Sequence, residues 1–257
     1  MDNQTHNFIV NFIWSVADDV LRDVYVRGKY RDVILPMTVI RRIDSVLEKK
    51  RAPIAERKKM LDELGLTEDK QESGLLDAAG EAFYNISPFT LKDIAGRATP
   101  EKMYDDLILY LNGFSANIQD IIKKFNFYDQ AAKMKDSGIL GDVLAKFTDP
   151  DIDLSPENLD NHAMGTIFEE LLRRFNEENN EEAGEHWTPR DVVELMADLI
   201  FTPIADKIQD SVYTFYDGAC GTGGMLTAAE ERLKQLADER GKKISIHLFG
   251  QEINSET

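Results

Sequence analysis

The stretch that decides the fold is "FYDGACGTGGML" (residues 215–226), where aromatic residues lead into an acid and then into four glycines within seven positions. The residues "SVYTFYD" (211–217) are β-branched and aromatic, which is typical of a strand. Residues 223–240 have a helical pattern, and "ISIHLFGQEI" (244–253) predicts a second strand. A strand, a glycine-rich turn, a helix and a strand indicate the first half of a doubly wound α/β sheet. Because glycines let a ligand approach the backbone, the turn predicts a ligand site at the carboxyl end of that sheet.

The residues around the glycines distinguish three classes of ligand. A phosphate loop requires G-x-x-x-x-G-K-[ST], but Gly224 and Met225 stand where the lysine and the hydroxyl belong. A dinucleotide fingerprint requires G-x-G-x-x-G, but Leu226 occupies the place of the third glycine. S-adenosylmethionine carries no phosphate, and its positive ammonium and sulfonium groups favour acids such as Asp217. Glu252, at the end of the second predicted strand, offers two acceptor oxygens to a ribose diol.

Most of the chain before residue 205 predicts helices. Residues 5–25 and the stretch "ILPMTVIRRIDSVLEKKR" (34–51) have apolar residues at helical spacing. Shorter helices are predicted near residues 53–64, 75–85, 100–112, 116–124 and 138–147, and a strong one over 164–175. The acidic, proline-containing segment "TDPDIDLSPENLDNH" (148–162) predicts a boundary loop. We therefore predict a helical domain over residues 1–155 and an α/β domain over residues 156–257.

The composition limits the class of protein. No apolar run approaches the ~18–20 residues that span a bilayer, and the first residues do not form a signal peptide, so we expect no membrane association. Cys220 is the one cysteine, which fits a reducing cytoplasm, and the four histidines have no metal-ligand spacing. The net charge of −17 argues against broad nucleic-acid binding. Residues 1–60, however, hold 12 Lys/Arg against 8 Asp/Glu, so one positive face remains possible.

Four stretches of the chain resemble a known family, in the order that the family has them. "DGACGTGGML" (217–226) resembles the D-P-A-C-G-T-G-G-F turn of type I restriction-modification systems, and "GEHWTPRDVVELM" (184–196) resembles their G-x-F-[FY]-T-P-R stretch. "GQEINSET" (250–257) resembles G-Q-E-x-N-P-E-T, and residues 34–51 resemble the signature of the helical N-terminal domain. Gly218 and Ser255 depart from the family pattern, because each replaces a proline. The resemblance is to the modification subunit, an N6-adenine DNA methyltransferase.

The resemblance implies a fold and a cofactor site. The fold is an α-helical N-terminal domain followed by the start of an α/β, Rossmann-like, S-adenosylmethionine-dependent methyltransferase domain. Trp187 and Thr188 would lie beside the methionine end of the cofactor, Glu252 would hold the ribose, and Ile253 would pack near the adenine. Alternatively, Trp187 is plain core, and residues 188–190 are only a helix start. The full predicted cofactor site comprises Glu185, His186, Trp187, Thr188, Pro189, Arg190, Asp217, Gly218, Gly221, Thr222, Gly223, Gly224, Glu252 and Ile253.

The resemblance also implies partners and a limit on activity. Family members form a complex with DNA, a specificity subunit, a second modification subunit and a restriction subunit. On the DNA or partner surface we predict Arg41, Arg42, Lys49, Lys50 and Arg51. The family's catalytic N-P-P-[FY] stretch does not occur in these 257 residues, so we expect no catalytic residue here and no methylation by this chain alone. Two alternatives stay open: a non-catalytic assembly module of such a complex, and a methyltransferase for another substrate.

Overall fold

The structure of the protein, a computed structural model, describes residues 3–178 and 188–253. The chain divides into two compact units, Met1–Asn179 and Asn180–Thr257, which we call the helical unit and the α/β unit. Both parts of the predicted fold class are confirmed: helices precede a short parallel sheet. None of the helices in the described ranges is long and apolar enough to cross a membrane.

The helical unit contains ten α-helices in its described residues. They are α1 Asn3–Val16, α2 Arg31–Leu47, α3 Arg51–Glu63, α4 Glu68–Ala79, α5 Leu91–Ala95, α6 Pro100–Asn112, α7 Ala116–Lys124, α8 Phe127–Asp136, α9 Leu140–Phe147 and α10 Asn161–Glu178. A π-helical turn, Ala17–Leu21, follows α1, and the 3₁₀ turns Arg27–Lys29 and Glu48–Lys50 flank α2. These elements follow the predicted pattern in outline, but the short helix α5 was not predicted, and two longer helices differ as well.

The first difference is the helix predicted near residues 75–85, which instead is α4. This helix ends where Gly80 adopts a left-handed conformation (φ 63°) that side chains with a Cβ avoid. The second difference is α8, which the sequence analysis missed. It begins after Asn126, whose left-handed backbone (φ 51°) separates it from α7. Its buried residues Phe127, Ala131 and Met134 do have helical spacing, so the sequence carried that signal.

One apolar core runs through the whole helical unit, from Ile9 in α1 to Phe175 in α10. Helix α10 contributes Ile167, Leu171 and Phe175, which are almost completely buried. The predicted second domain, residues 156–257, includes this helix, whereas the compact units divide after Asn179. The domain boundary at residue 155 therefore stays a prediction.

The α/β unit is built around two parallel strands. Its elements are α11 Arg190–Phe201, a 3₁₀ turn Thr202–Lys207, β1 Ser211–Asp217, α12 Gly224–Asp238 and β2 Ile244–Gly250. The strands pair in register from Ser211 opposite Ile244 to Asp217 opposite Gly250. The predicted order of strand, turn, helix and strand is confirmed, so the carboxyl ends of both strands meet at one edge, beside the glycine-rich turn.

The two faces of this sheet differ in burial. On one face, Phe215 and Ile246 pack with apolar residues of α11 and α12. Since side chains alternate along a strand, the next residues point to the other face, where Val212, Tyr216 and Phe249 are exposed. Helix α11 likewise exposes a second apolar stripe, formed by Val192, Leu195, Met196, Leu199 and Ile200. Parallel sheets are normally covered on both faces, so these are surfaces on which another element would be expected to pack.

Candidate functional site

The turn that joins β1 to α12, residues 217–224, forms the candidate site. Asp217 opens it, and the Oδ1 atom of Asp217 accepts a hydrogen bond from the Ala219 N–H at 3.0 Å, which fixes the first bend. Gly221 and Gly223 have φ angles of 52° and 83°, a region that residues with a side chain rarely adopt. The Gly223 N–H donates to the Cys220 carbonyl at 2.8 Å, and α12 begins at the next residue.

The end of β2 is tied to this turn by backbone hydrogen bonds. The Gln251 N–H donates to the Asp217 carbonyl at 2.8 Å, and the Gln251 carbonyl accepts from the Cys220 N–H at 3.0 Å. Gly250 is required by this close approach, because a Cβ there would lie 2.7 Å from the Cys220 Sγ. The half-buried Cys220 is thus a packing residue between the turn and the second strand.

Glu252 directly follows this anchored segment, and its carboxylate lies against the turn. Its Oε2 accepts from the Gly221 N–H at 2.9 Å, and its Oε1 accepts from the Ile253 N–H at 2.8 Å. The structure therefore brings together Asp217, the glycines and Glu252, as the sequence analysis predicted from residues 35 positions apart. The Ile253 side chain is fully exposed next to this carboxylate. The ligand roles of these residues stay predictions.

The other predicted cofactor residues are distributed as follows. Gly218 and Thr222 are exposed within the turn, and Gly224 is the first residue of α12. Thr188 is exposed, Pro189 is half-buried, and α11 begins at Arg190. Glu185, His186 and Trp187 lie outside the described residues.

Arg42, which was predicted to lie on the DNA or partner surface, is buried. Its side chain is only 8% exposed and lies inside the helical unit. One Nη atom donates to the carbonyls of Leu154 (2.6 Å) and Leu159 (2.8 Å), and the other donates to the Asn161 Oδ1 (3.0 Å). Burial lowers the pKa of Arg42, although Asp160 and nearby acids oppose this shift. The expectation of a free surface position is therefore wrong for Arg42, which instead fastens the 154–161 segment to α2.

Arg51 also makes internal contacts. It pairs with the buried Asp44, which also accepts a hydrogen bond from the Tyr110 hydroxyl at 2.9 Å. A second Arg51 nitrogen donates to the Phe89 carbonyl at 2.7 Å. Burial raises the pKa of the Asp44 carboxyl, and Arg51 opposes that shift. Arg51 therefore bonds to a buried acid and a carbonyl, and only 18% of its side chain is exposed to a partner.

Arg41, Lys49 and Lys50 complete the predicted basic set. Arg41 is mostly covered and donates to the Ser45 hydroxyl at 2.5 Å. Lys49 is 75% exposed and pairs with Glu157, and Lys50 is half-exposed. The surface that remains for a charged partner is thus narrower than the sequence suggested, and it centres on the two lysines. Binding there stays a prediction.

The sequence analysis gave no role to Tyr216, Gln251 or Gly250. The close packing of Gly250 on Cys220 and the anchoring of Gln251 depend on contacts between residues about 30 positions apart. The signal that could have found Gly250 and Gln251 is the "GQE" stretch (250–252), in which the sequence analysis assigns a role to the acid alone, whereas no sequence signal marked Tyr216.

Comparisons with known proteins also match the chain in two parts, but these parts divide between residues 147 and 159 and not after Asn179. Residues 9–147 match the family model described as the HsdM N-terminal domain, and residues 159–257 match that of N-6 DNA methylases. The chain is 31% identical over 166 residues to the methylase subunit of the type I restriction enzyme EcoEI from Escherichia coli, which covers 62% of this chain and 31% of that protein. It is 22% identical over 236 residues to the MjaIX methylase subunit from Methanocaldococcus jannaschii, which covers 88% of this chain and 39% of that one.

A solved structure shows the same fold. The type I restriction-modification methyltransferase subunit from Streptococcus thermophilus superposes with a TM-score of 0.64 at 19% identity, over 98% of this chain and 53% of that one. The present chain therefore spans about half of that structure and less of the two curated relatives. The HsdM N-terminal model covers more than half of the 257 residues. The chain belongs to the family of type I restriction-modification methylase subunits.

Proposed function

We propose that the α/β unit binds S-adenosylmethionine, as part of a methylase subunit that transfers the methyl group to adenine N6 in DNA. The observation that carries this proposal is the contact between the Glu252 carboxylate and the Gly221 N–H, at 2.9 Å. It places an acid beside a glycine-rich turn at the carboxyl end of a parallel sheet, where α/β folds bind their ligands. The match of residues 159–257 to N-6 DNA methylases supports the same ligand.

The residues present fit this cofactor. The turn, residues 217–224, has no lysine or arginine, so it offers no positive side chain to a phosphate. Asp217 and Glu252, by contrast, suit a positively charged ligand. Gly221 and Gly223 expose backbone without side chains, which allows close approach. Asp217 would face the methionine end, Glu252 would accept from the ribose hydroxyls, and Ile253 would cover the adenine.

The division of labour follows from the chemistry. S-adenosylmethionine, when bound, supplies an activated methyl group on its sulfonium. The residues of this chain bind and orient the cofactor, which is the part of catalysis that position can provide. The adenine would be held by an N-P-P-[FY] stretch, which these 257 residues do not contain. We therefore propose that this chain binds the cofactor and does not methylate DNA by itself.

The partners that we propose are DNA, a specificity subunit, a second modification subunit and a restriction subunit, in the cytoplasm. The family match supports this set. A chain with a net charge of −17 can still contact DNA through a few phosphates, because such contacts position a protein without reading sequence. Lys49 and Lys50 are the residues that we propose for this surface.

The test is a calorimetric titration of the chain with S-adenosylmethionine, and separately with ATP and NAD. We expect saturable binding of S-adenosylmethionine and none of the two phosphate ligands. Glu252→Ala is expected to weaken binding at least about tenfold, since it removes charge-assisted hydrogen bonds.

Asp238→Asn is the matched control, because it neutralises an exposed acid at the far end of α12 and is expected to leave the affinity unchanged. Binding of ATP in preference to S-adenosylmethionine, or equal affinity of the wild type and Glu252→Ala, would contradict the proposal.

A further inference from the structure

Tyr216 makes a hydrogen bond that fold stability alone does not explain. The residue lies on the exposed face of the sheet, with 66% of its surface accessible. Its hydroxyl nevertheless donates to the side-chain Oε1 of Gln251, 2.8 Å away and 35 positions along the chain. A hydroxyl this exposed could bond to water instead, so burial does not require its bond to Gln251. The bond lies at the carboxyl ends of both strands beside the candidate site, where it would restrain the residues that follow β2.

Gln251 is the residue through which the second strand meets the turn. The strand pairing ends at Gly250, and Gln251 then donates its N–H to the Asp217 carbonyl and accepts from the Cys220 N–H. With the side-chain bond from Tyr216, three contacts fix this one residue. The next residue along the chain is Glu252, so the backbone direction at Gln251 decides where the Glu252 carboxylate lies.

We propose that Tyr216 and Gln251 are a positioning pair, which holds the Glu252 carboxylate in register with the glycine-rich turn and so sets the affinity for the ribose of the cofactor. This inference rests on the proposed function. The carboxylate reaches the Gly221 N–H at 2.9 Å, which leaves little room for a displaced backbone. Site residues must be held within about 0.5 Å of the productive geometry, and a side chain that bridges both strand ends supplies such a restraint.

The test is a double-mutant cycle on S-adenosylmethionine affinity, with Tyr216→Phe, Glu252→Gln and the double variant. Tyr216→Phe removes only the hydroxyl, and Glu252→Gln keeps the shape of the acid. Tyr213→Phe is the matched control in the same strand. The Tyr213 hydroxyl accepts from the Gln209 N–H at 3.0 Å and donates to the Gln209 carbonyl, at the strand end far from the turn.

We expect Tyr216→Phe to weaken binding about three- to tenfold, the range of one hydrogen bond, and Tyr213→Phe to leave it unchanged. In the Glu252→Gln background, Tyr216→Phe should add less than about a twofold effect, because the group it positions has been altered. Wild-type affinity of Tyr216→Phe would overturn the inference. The same fold-loss in both backgrounds would also overturn it, since Tyr216 would then act independently of Glu252.

A second readout needs no cofactor and separates this inference from the proposed function. Amide hydrogen exchange at Gly221 should be faster in Tyr216→Phe and in Glu252→Gln than in the wild type, and unchanged in Tyr213→Phe. If the wild type does not bind S-adenosylmethionine, the proposed function fails, and the Gly221 exchange rate still decides on the positioning pair. Unchanged exchange in Tyr216→Phe would then contradict it.

Discussion

Helices α10 and α11 both have apolar residues at helical spacing, but α11 is the more apolar of the two and their surroundings differ. In α10 the apolar side chains Ile167, Leu171 and Phe175 lie in the single core of the helical unit. In α11 a narrow stripe packs within the α/β unit, while a second stripe is exposed, with Leu199 at 67%. A helix that is apolar nearly all round is normally buried on all sides. The α/β unit therefore leaves surfaces uncovered that the helical unit does not.

The two units also differ in where their structurally important polar contacts lie. The helical unit uses buried polar groups, such as Arg42 and Asp44, to fix its own segments together. The α/β unit uses its hydrogen bonds at the turn, where Gln251 and Glu252 bind the strand end to the glycines. In the first unit these contacts stabilise the core, whereas in the second they stabilise the glycine-rich turn. Three sets of substitutions test this contrast.

The largest effect is expected in the helical unit, for Arg42→Met. This change removes three hydrogen bonds and leaves the Leu154 and Leu159 carbonyls without that donor, so it should cost about 2–4 kcal/mol of unfolding free energy. Lys49→Met is the matched control from the same basic stretch. Its ion pair with Glu157 is exposed, so the cost should stay below about 0.5 kcal/mol. Urea unfolding measures both, and equal costs would refute the internal role of Arg42.

The next effect concerns the uncovered apolar surface of the α/β unit. Phe249 and Leu199 are 55% and 67% exposed, so the chain should bind a hydrophobic fluorescent dye in its native state. Phe249→Lys and Leu199→Lys should each lower the bound-dye signal, with stability changed by no more than about 0.5 kcal/mol. The control is Leu64→Lys, at an exposed leucine of the helical unit. If only Leu64→Lys lowered the dye signal, the main exposed apolar surface would belong to the helical unit and not to the α/β unit.

The smallest effects are expected at two glycines of the turn. Gly218 has no positive φ, and a Cβ there would meet the Tyr216 ring at 3.4 Å, an ordinary contact. Gly218→Ala should therefore stabilise the α/β unit by about 0.4–1 kcal/mol, through the unfolded chain. Gly221→Ala should destabilise it by about 1 kcal/mol, because its φ of 52° strains a residue with a Cβ. Thermal unfolding of the two variants should shift in opposite directions, and shifts of the same sign would contradict the described turn.

The sequence predicted the parts of this fold that depend on local patterns. β-Branched and aromatic residues located β1, and the glycines located the turn, because both signals lie within a few residues. Glu252 could be placed because parallel strands bring their carboxyl ends to one edge.

The contacts of Arg42 could not be predicted in the same way. Helical spacing separated Arg42 from the apolar residues of α2, but its acceptors lie more than 110 positions away, in the segment before α10 and at the first residue of α10. The Tyr216–Gln251 bond was equally hidden, because it depends on the register between the strands. Local patterns thus located the strand and the glycine-rich turn, whereas the contacts that hold the turn in place came only with the fold.

The measurement that tests the central claim most directly is the amide spectrum of the chain during titration with S-adenosylmethionine. The cofactor should shift the resonances of Gly221, Gly223, Gly224 and Glu252 most, because these backbone groups line the turn. The resonances of Gly80 and Gly138, which end helices of the helical unit, should stay in place. Shifts confined to the helical unit, or no shifts at millimolar cofactor, would show that the glycine-rich turn is not the binding site.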